Sequence, residues 1–137
     1  MPALLDLWQA SWQVVLPQIN FSERREWFGG YLAGLATTAR LLVALDDAGK
    51  PAGFVTIDPA TGYLDQIVVR LDQWGRGIAV ALLDEAKELS PDRVELKVNQ
   101  ANLRAVALYE RQGFSRIGAD ISEASGLPLW VYLWRAP

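Results

Sequence analysis

The 137-residue chain carries 13 Lys and Arg against 16 Asp and Glu, with 51% hydrophobic and 21% charged residues. That composition suits a globular domain with a real core and excludes disorder, while a net charge of −3 with no basic run argues against nucleic acid as a partner. Cysteine and histidine are both absent, which excludes disulfides, thiol nucleophiles, His bases, Ser-His-Asp triads and ordinary zinc sites.

No apolar run reaches the ~18 residues of a membrane span. The opening "MPALLDLWQASW" has no basic stretch before its apolar residues, so it does not read as a signal peptide. A cytoplasmic location and a single domain over 1–137 are the expectations. Residues 3–16 carry Leu4, Leu5, Trp8, Trp12 and Val15 at helical spacing, and Pro17 limits that helix. Ser22 is a cap for a second helix whose apolar side includes Trp27, Phe28, Tyr31, Leu32 and Leu35. Arg25 stands where a full capping box would have Glu or Gln.

Two turn-rich breaks, Asp46–Pro51 and Asp58–Gly62, divide the next stretch into three apolar runs. They predict an antiparallel meander at about 40–46, 52–58 and 63–70. A helix over Gly75–Leu89 follows and stops near Ser90-Pro91. "RVELKV" alternates, with Val94, Leu96 and Val98 facing one way and Glu95 and Lys97 the other, as in a half-buried strand. A helix over about 102–111 comes next with Gly113 at its C′ position, then strands at about 114–121 and 128–135. The order α-α-β-β-β-α-β-α-β-β packs most naturally as one mixed sheet with helices on its faces.

Gly75 and Gly77 are odd residues with which to begin a good helix. A helix N-terminus has unpaired N–H groups and partial positive charge, and glycine lets an anion approach them closely. Gly75, Gly77 and the small Ala79 leave those amides uncovered, and Arg76 adds charge. An ordinary loop-to-helix junction is the alternative.

A second motif bears on the choice. "VNQANLRAVALYERQGF" spaces Val98, Asn102, Ala105, Leu108, Tyr109, Gly113 and Phe114 in a pattern that, with the strand–Gly-x-Gly–helix unit before it, resembles the GCN5-related N-acetyltransferase (GNAT) superfamily. The family's cofactor loop, Gln/Arg-x-x-Gly-x-Gly/Ala, aligns on Trp74-Gly75-Arg76-Gly77-Ile78-Ala79. Its next motif, Val-x-x-x-Asn-x-x-Ala-x-x-Leu-Tyr, aligns from Val98 to Tyr109 without a gap. The resemblance covers residues 63–117 firmly and the meander loosely, and the two opening helices are similar to those of many bacterial members. Trp74 departs from the family's Gln or Arg. The family's usual first strand has no counterpart before the first helix, so the strand near 40–46 is expected to keep an open edge that invites a homodimer.

The resemblance implies an α+β acyl-CoA N-acyltransferase fold: a mixed, mostly antiparallel sheet flanked by helices. It implies acetyl-CoA as co-substrate, no metal, and direct acetyl transfer to a primary amine of a small molecule or peptide. The pyrophosphate falls to the backbone of Gly75, Arg76, Gly77, Ile78 and Ala79, and the pantetheine arm to the backbone of Ile67, Val68 and Val69. Asn102 contacts that arm or orients the site, and Ala105 falls among the cofactor contacts. Tyr109 becomes the acid that protonates the departing thiolate; a tyrosine with a pKa of about 10 is protonated at neutral pH. Packing on the sheet is its alternative role.

For the base, a carboxylate acting directly or through water is the simplest choice without histidine. Asp65 sits inside an apolar strand, where an unpaired charge is costly. Alternation places it with Tyr63 and Ile67, opposite Leu64, Gln66 and Val68. An exposed strand end or an Arg partner is the alternative reading. Acceptor contacts fall on Trp12, Arg25 and Trp27, within an aromatic group that also includes Trp8, Phe28 and Tyr31; a purely core role is the alternative. "EASGLPLW" (123–130) is either a pocket loop or a plain turn. A non-catalytic acyl-CoA-binding module is the competing function, and a toxin acting on charged tRNA is disfavoured by the acidic balance.

Overall fold

The computed structural model describes residues 4–9, 28–31, 33–34 and 38–137. Residues 4–9, 28–31 and 33–34 are helical; the rest of the two expected opening helices, with Pro17 and the Ser22 cap, lies outside the described residues. Six strands follow: β1 (Arg40–Leu45), β2 (Pro51–Ile57), β3 (Tyr63–Val69), β4 (Arg93–Asn99), β5 (Ser115–Ile121) and β6 (Pro128–Arg135). Helix α1 (Ile78–Leu89) joins β3 to β4, and α2 (Leu103–Arg111) joins β4 to β5. All these elements fall within a residue or two of expectation except the start of α1. The stretch ahead of it is a short 3-10 turn at Leu71–Gln73 followed by the glycine loop.

The strands form one sheet in the order β1-β2-β3-β4-β6-β5, antiparallel throughout except for β3 and β4. Local chemistry sets the meander. Asp46 Oδ1 accepts from the amides of Ala48 and Lys50 at 2.9 Å each, closing the first turn. The second turn needs Gly62: its φ is +80°, and a Cβ there would lie 2.7 Å from the Arg93 carbonyl oxygen. That closeness has a use, because the Gly62 carbonyl accepts from Glu95 N–H at 2.8 Å and fixes β4 beside the start of β3.

The strict alternation expected for β3 fails at one residue. Thr56 lies opposite Gln66 and Ile57 opposite Leu64, which leaves Asp65 as an extra residue in a β-bulge. Leu64 and Ile67, expected on opposite faces, therefore pack on the same core cluster, while Val68 joins the other. β3 and β4 pair only at Tyr63↔Glu95 and Leu64↔Leu96. Beyond that point they diverge, and the divergence begins at the bulge.

Apolar residues cover both sheet faces. In the larger cluster, Val94, Leu96 and Val98 of β4 pack with Leu82, Leu83 and Ala86 of α1 and with Val106 and Tyr109 of α2. In the smaller one, Leu4, Leu7, Trp8 and Phe28 pack on Phe54 and Val68. β1 is one edge of the sheet among the described residues, with Val43 and Leu45 exposed.

Candidate active site

The divergence of β3 from β4 opens two clefts. One, of about 640 Å³, is bordered by Tyr31, Asp65, Lys97 and the residues after β5. The other, of about 310 Å³, is bordered by Val69, Trp74, the glycine loop and one side of α2. Ile67, Asn102, Ala105 and Tyr109 border both, so the clefts meet at those four side chains.

The smaller cleft accounts for the glycines. Gly75 and Gly77 have φ of +79° and +82°, in the left-handed region, and a Cβ on either would meet nothing within 4 Å. Backbone conformation, rather than crowding inside the protein, requires glycine there. Gly77 caps α1 without a side chain, and the first helical bond runs from Ala81 N–H to Gly77 O at 3.0 Å. The amides of Ile78, Ala79 and Val80 thus have no partner within the helix, and all three residues edge the cleft. An anion placed there meets open backbone N–H groups and the positive end of α1.

The added charge differs from expectation. Arg76 does not border the cleft, whereas Arg104 and Arg111 do. They lie seven residues apart on α2, two turns along one helix face, and that spacing was the available sequence signal. The Arg104 guanidinium lies 4.4 Å from the centre of the Trp74 ring, and Trp74 Nε1 donates to the Val69 carbonyl at 2.8 Å.

The three β3 residues assigned to the cofactor arm divide. Arg70 N–H bonds Ala52 O at 2.7 Å. The two-residue alternation of an antiparallel ladder then turns the Val68 amide groups toward β2 and those of Ile67 and Val69 toward the open side. The Val68 side chain is buried in the smaller cluster. Ile67 and Val69 thus present their amide groups to the open side and Val68 does not, and the Val69 carbonyl is already engaged by Trp74.

Tyr109 stands at the junction. It is 6% exposed, with its ring packed against Phe114 and Tyr132 at centroid distances of 5.8 and 6.4 Å. Its hydroxyl makes no hydrogen bond to a described residue. Burial disfavours the phenolate and raises the pKa above the ordinary tyrosine value, so the group is a proton donor throughout the neutral range. The Asn102 side-chain oxygen accepts from Ala105 N–H at 3.2 Å, capping α2, which leaves its amide nitrogen for the clefts it borders.

In the larger cleft Asp65 has neither of the expected alternatives, a bare strand end or an Arg partner. Its Oδ1 accepts from the Tyr31 hydroxyl at 2.6 Å and its Oδ2 from Gln66 Nε2 at 3.1 Å. Lys97, nearby, is paired with Asp120 at 2.7 Å. The aromatic group separates by role: Trp8 and Phe28 stack at 4.2 Å and are buried core, while Tyr31 borders the cleft. Trp12, Arg25 and Trp27 lie outside the described residues. Residues 123–130 satisfy both readings, since Glu123 and Ala124 border the cleft within a turn closed by Ser122 N–H on Leu127 O at 2.9 Å. Among the described residues no group of three or more His, Cys, Asp or Glu is arranged to hold a metal, and no helix is long and apolar enough to cross a membrane.

Comparison with known proteins agrees with this architecture. The model of the acetyltransferase (GNAT) family matches residues 1–114. A mycothiol acetyltransferase of Propionibacterium freudenreichii subsp. shermanii is 37% identical over 100 residues, which cover 66% of this chain and 32% of that protein. The peptidyl-lysine N-acetyltransferase YiaC of Escherichia coli is 29% identical over 134 residues, covering 98% of this chain and 90% of that one. This chain thus spans about a third of the first relative and nearly all of the second. The crystal structure of the PaiA N-acetyltransferase from Thermoplasma acidophilum in complex with coenzyme A superposes with a TM-score of 0.81 over 98% of this chain and 91% of that one. At 15% identity, that likeness speaks for the fold.

Proposed function

The chain belongs to the acetyltransferase (GNAT) family, and from that premise we propose that it moves an acetyl group from acetyl-CoA directly to a primary amine of a small molecule or peptide. The meeting of two clefts at Tyr109, whose hydroxyl makes no hydrogen bond to a described residue, carries this reading. The residues present suit the co-substrate. The amides of Ile78, Ala79 and Val80, with Arg104 and Arg111, offer the smaller cleft an anion-binding end, and the open side of β3 offers amide groups to an extended arm.

When bound, acetyl-CoA supplies a thioester open to attack by an amine. Asp65 accepts the proton of the incoming ammonium, directly or through a water. Backbone N–H groups on the open side of β3 steady the developing oxyanion. Tyr109 donates its proton to the departing sulfur. No covalent enzyme intermediate is needed. Two relatives named for acetyl transfer, one to peptidyl-lysine, support an amine acceptor, and they lend nothing to the non-catalytic alternative. A cytoplasmic location goes with that co-substrate, and the exposed edge of β1 supports a homodimer.

The first test is a set of melts with acetyl-CoA, coenzyme A, ATP and NAD in parallel, followed by turnover on an amine panel. Ligand at 100 times its Kd adds about 2.7 kcal/mol and raises the midpoint by several degrees. Stabilisation by the two CoA species alone is expected. No shift at millimolar CoA would remove the enzyme reading.

A further inference from the structure

Asp65 is held from two directions. Gln66, its chain neighbour, donates to Oδ2 at 3.1 Å. Tyr31, 34 residues earlier, donates to Oδ1 at 2.6 Å. The second contact joins parts of the molecule that no strand pairing connects. Phe28 stacks on Trp8 and is buried against Phe54 and Val68, which seats the 28–31 segment on the sheet. Phe28 and Tyr31 stack in turn at 6.3 Å. From that anchorage the Tyr31 hydroxyl reaches the residue that the β-bulge sets apart from the ladder.

We propose that Tyr31 is a positioning residue: its hydroxyl fixes the orientation of the Asp65 carboxylate and aims its remaining lone pairs into the larger cleft, where the acceptor amine would enter. A carboxylate has about four acceptor sites. Tyr31 and Gln66 fill one on each oxygen, which leaves one on each for the acceptor amine or a bridging water. The donor itself does not titrate near neutrality, because burial, and then the bond to Asp65, raise the Tyr31 pKa above the ordinary tyrosine value. The other charged or titratable groups lining the cleft are Tyr63 from β3, Lys97 from β4, Tyr109 from α2, and Asp120 and Glu123 from β5 and its turn. Lys97 is engaged by Asp120 at 2.7 Å, and Tyr63, although burial keeps it protonated, makes no hydrogen bond to Asp65, so Tyr31 is the neutral donor on Oδ1. The role rests on Asp65 as the base, so the test separates the two claims.

Turnover with a lysine-containing peptide is read as kcat at saturating peptide, beside the melting temperature and the affinity for coenzyme A. Tyr31→Phe keeps the ring that stacks on Phe28 and removes only the hydroxyl. Its expected effect is a fall in kcat of about tenfold, with folding and coenzyme A affinity unchanged. Gln66→Met removes the other donor and should lower kcat the same way, which guards against a fold defect peculiar to one variant. Added to Asp65→Asn, Tyr31→Phe should cost nothing further, because the carboxylate it positions is gone. A kcat unchanged in both Tyr31→Phe and Gln66→Met overturns the proposal, and so does a Tyr31→Phe loss that persists in full on top of Asp65→Asn. Wild-type kcat in Asp65→Asn defeats the base assignment, and with it the catalytic meaning of the clamp.

Discussion

Trp74 donates its indole N–H to the Val69 carbonyl at 2.8 Å, tying the residue that opens the glycine loop to the last residue of the splayed strand. The loop that follows contains two left-handed glycines, and Arg104 lies over the indole ring. One hydrogen bond contributes about 1 kcal/mol and a partly exposed cation–π contact about 0.5–1 kcal/mol. Trp74→Ala loses both and lets the loop fray, so coenzyme A affinity should fall about tenfold by calorimetric titration. Trp74→Phe keeps a ring for Arg104 and should fall by less. Unchanged affinity in Trp74→Ala would mean that the indole is no anchor for the loop.

The basic residues make a sharper contrast. Arg104 and Arg111 border the smaller cleft and Arg76 does not. Arg104→Ala and Arg111→Ala should each weaken coenzyme A binding about 3- to 10-fold at 0.1 M salt, while Arg76→Ala stays within about twofold. The losses should shrink at 1 M salt, where the screening length falls from about 10 Å to about 3 Å. A larger loss for Arg76→Ala than for either α2 arginine would restore the charge to the loop.

What the sequence made legible here was periodic or local. Alternation in "RVELKV" gave β4 its buried face, the Asp and Gly clusters placed the meander turns, and Asn102 and Gly113 bracketed α2. The Val98–Tyr109 motif placed Tyr109 where the clefts meet. The misses depend on relations between segments. The bulge at Asp65 is a property of how β2 and β3 register, and no single strand's pattern contains it. The Tyr31–Asp65 bond spans 34 residues. Arg104 and Arg111 went unread because Arg76 adjoins the glycines in sequence, whereas the arginines that border the cleft share one face of α2.

Three glycines allow strain and crowding to be separated. Gly75 and Gly77 are left-handed with open space around them, whereas Gly62 is left-handed with the Arg93 carbonyl 2.7 Å from where a Cβ would sit. Gly77→Ala carries the conformational cost alone, about 1–2 kcal/mol, or roughly 3–8 °C in Tm for a chain of this size. Gly62→Ala adds a backbone clash and should lose at least twice as much. Ligand binding should rank them in reverse: Gly77→Ala weakens coenzyme A binding because its loop edges the smaller cleft, while Gly62→Ala, once folded, leaves it unchanged. Equal Tm losses would mean that β4 gives way at Gly62 without cost.

Tyr109→Phe tests the acid. The ring remains packed against Phe114 and Tyr132, and the hydroxyl has no described hydrogen-bond partner to lose, so stability should change by less than about 1 kcal/mol. Loss of a positioned acid typically costs 10²–10⁴-fold, and that fall is expected in kcat, with the affinity for coenzyme A nearly unchanged. The pH dependence carries the sign. Burial penalises the phenolate, so the folded pKa lies above the ordinary value of about 10 and the donating form persists to higher pH. Wild-type kcat should therefore show no basic limb at or below pH 10, up to the limit of folding. A limb below pH 10 that disappears in Tyr109→Phe would show the hydroxyl titrating as though solvated, against the burial of the side chain between α2 and the sheet. Full kcat in Tyr109→Phe would remove the tyrosine from the reaction and leave it a packing residue.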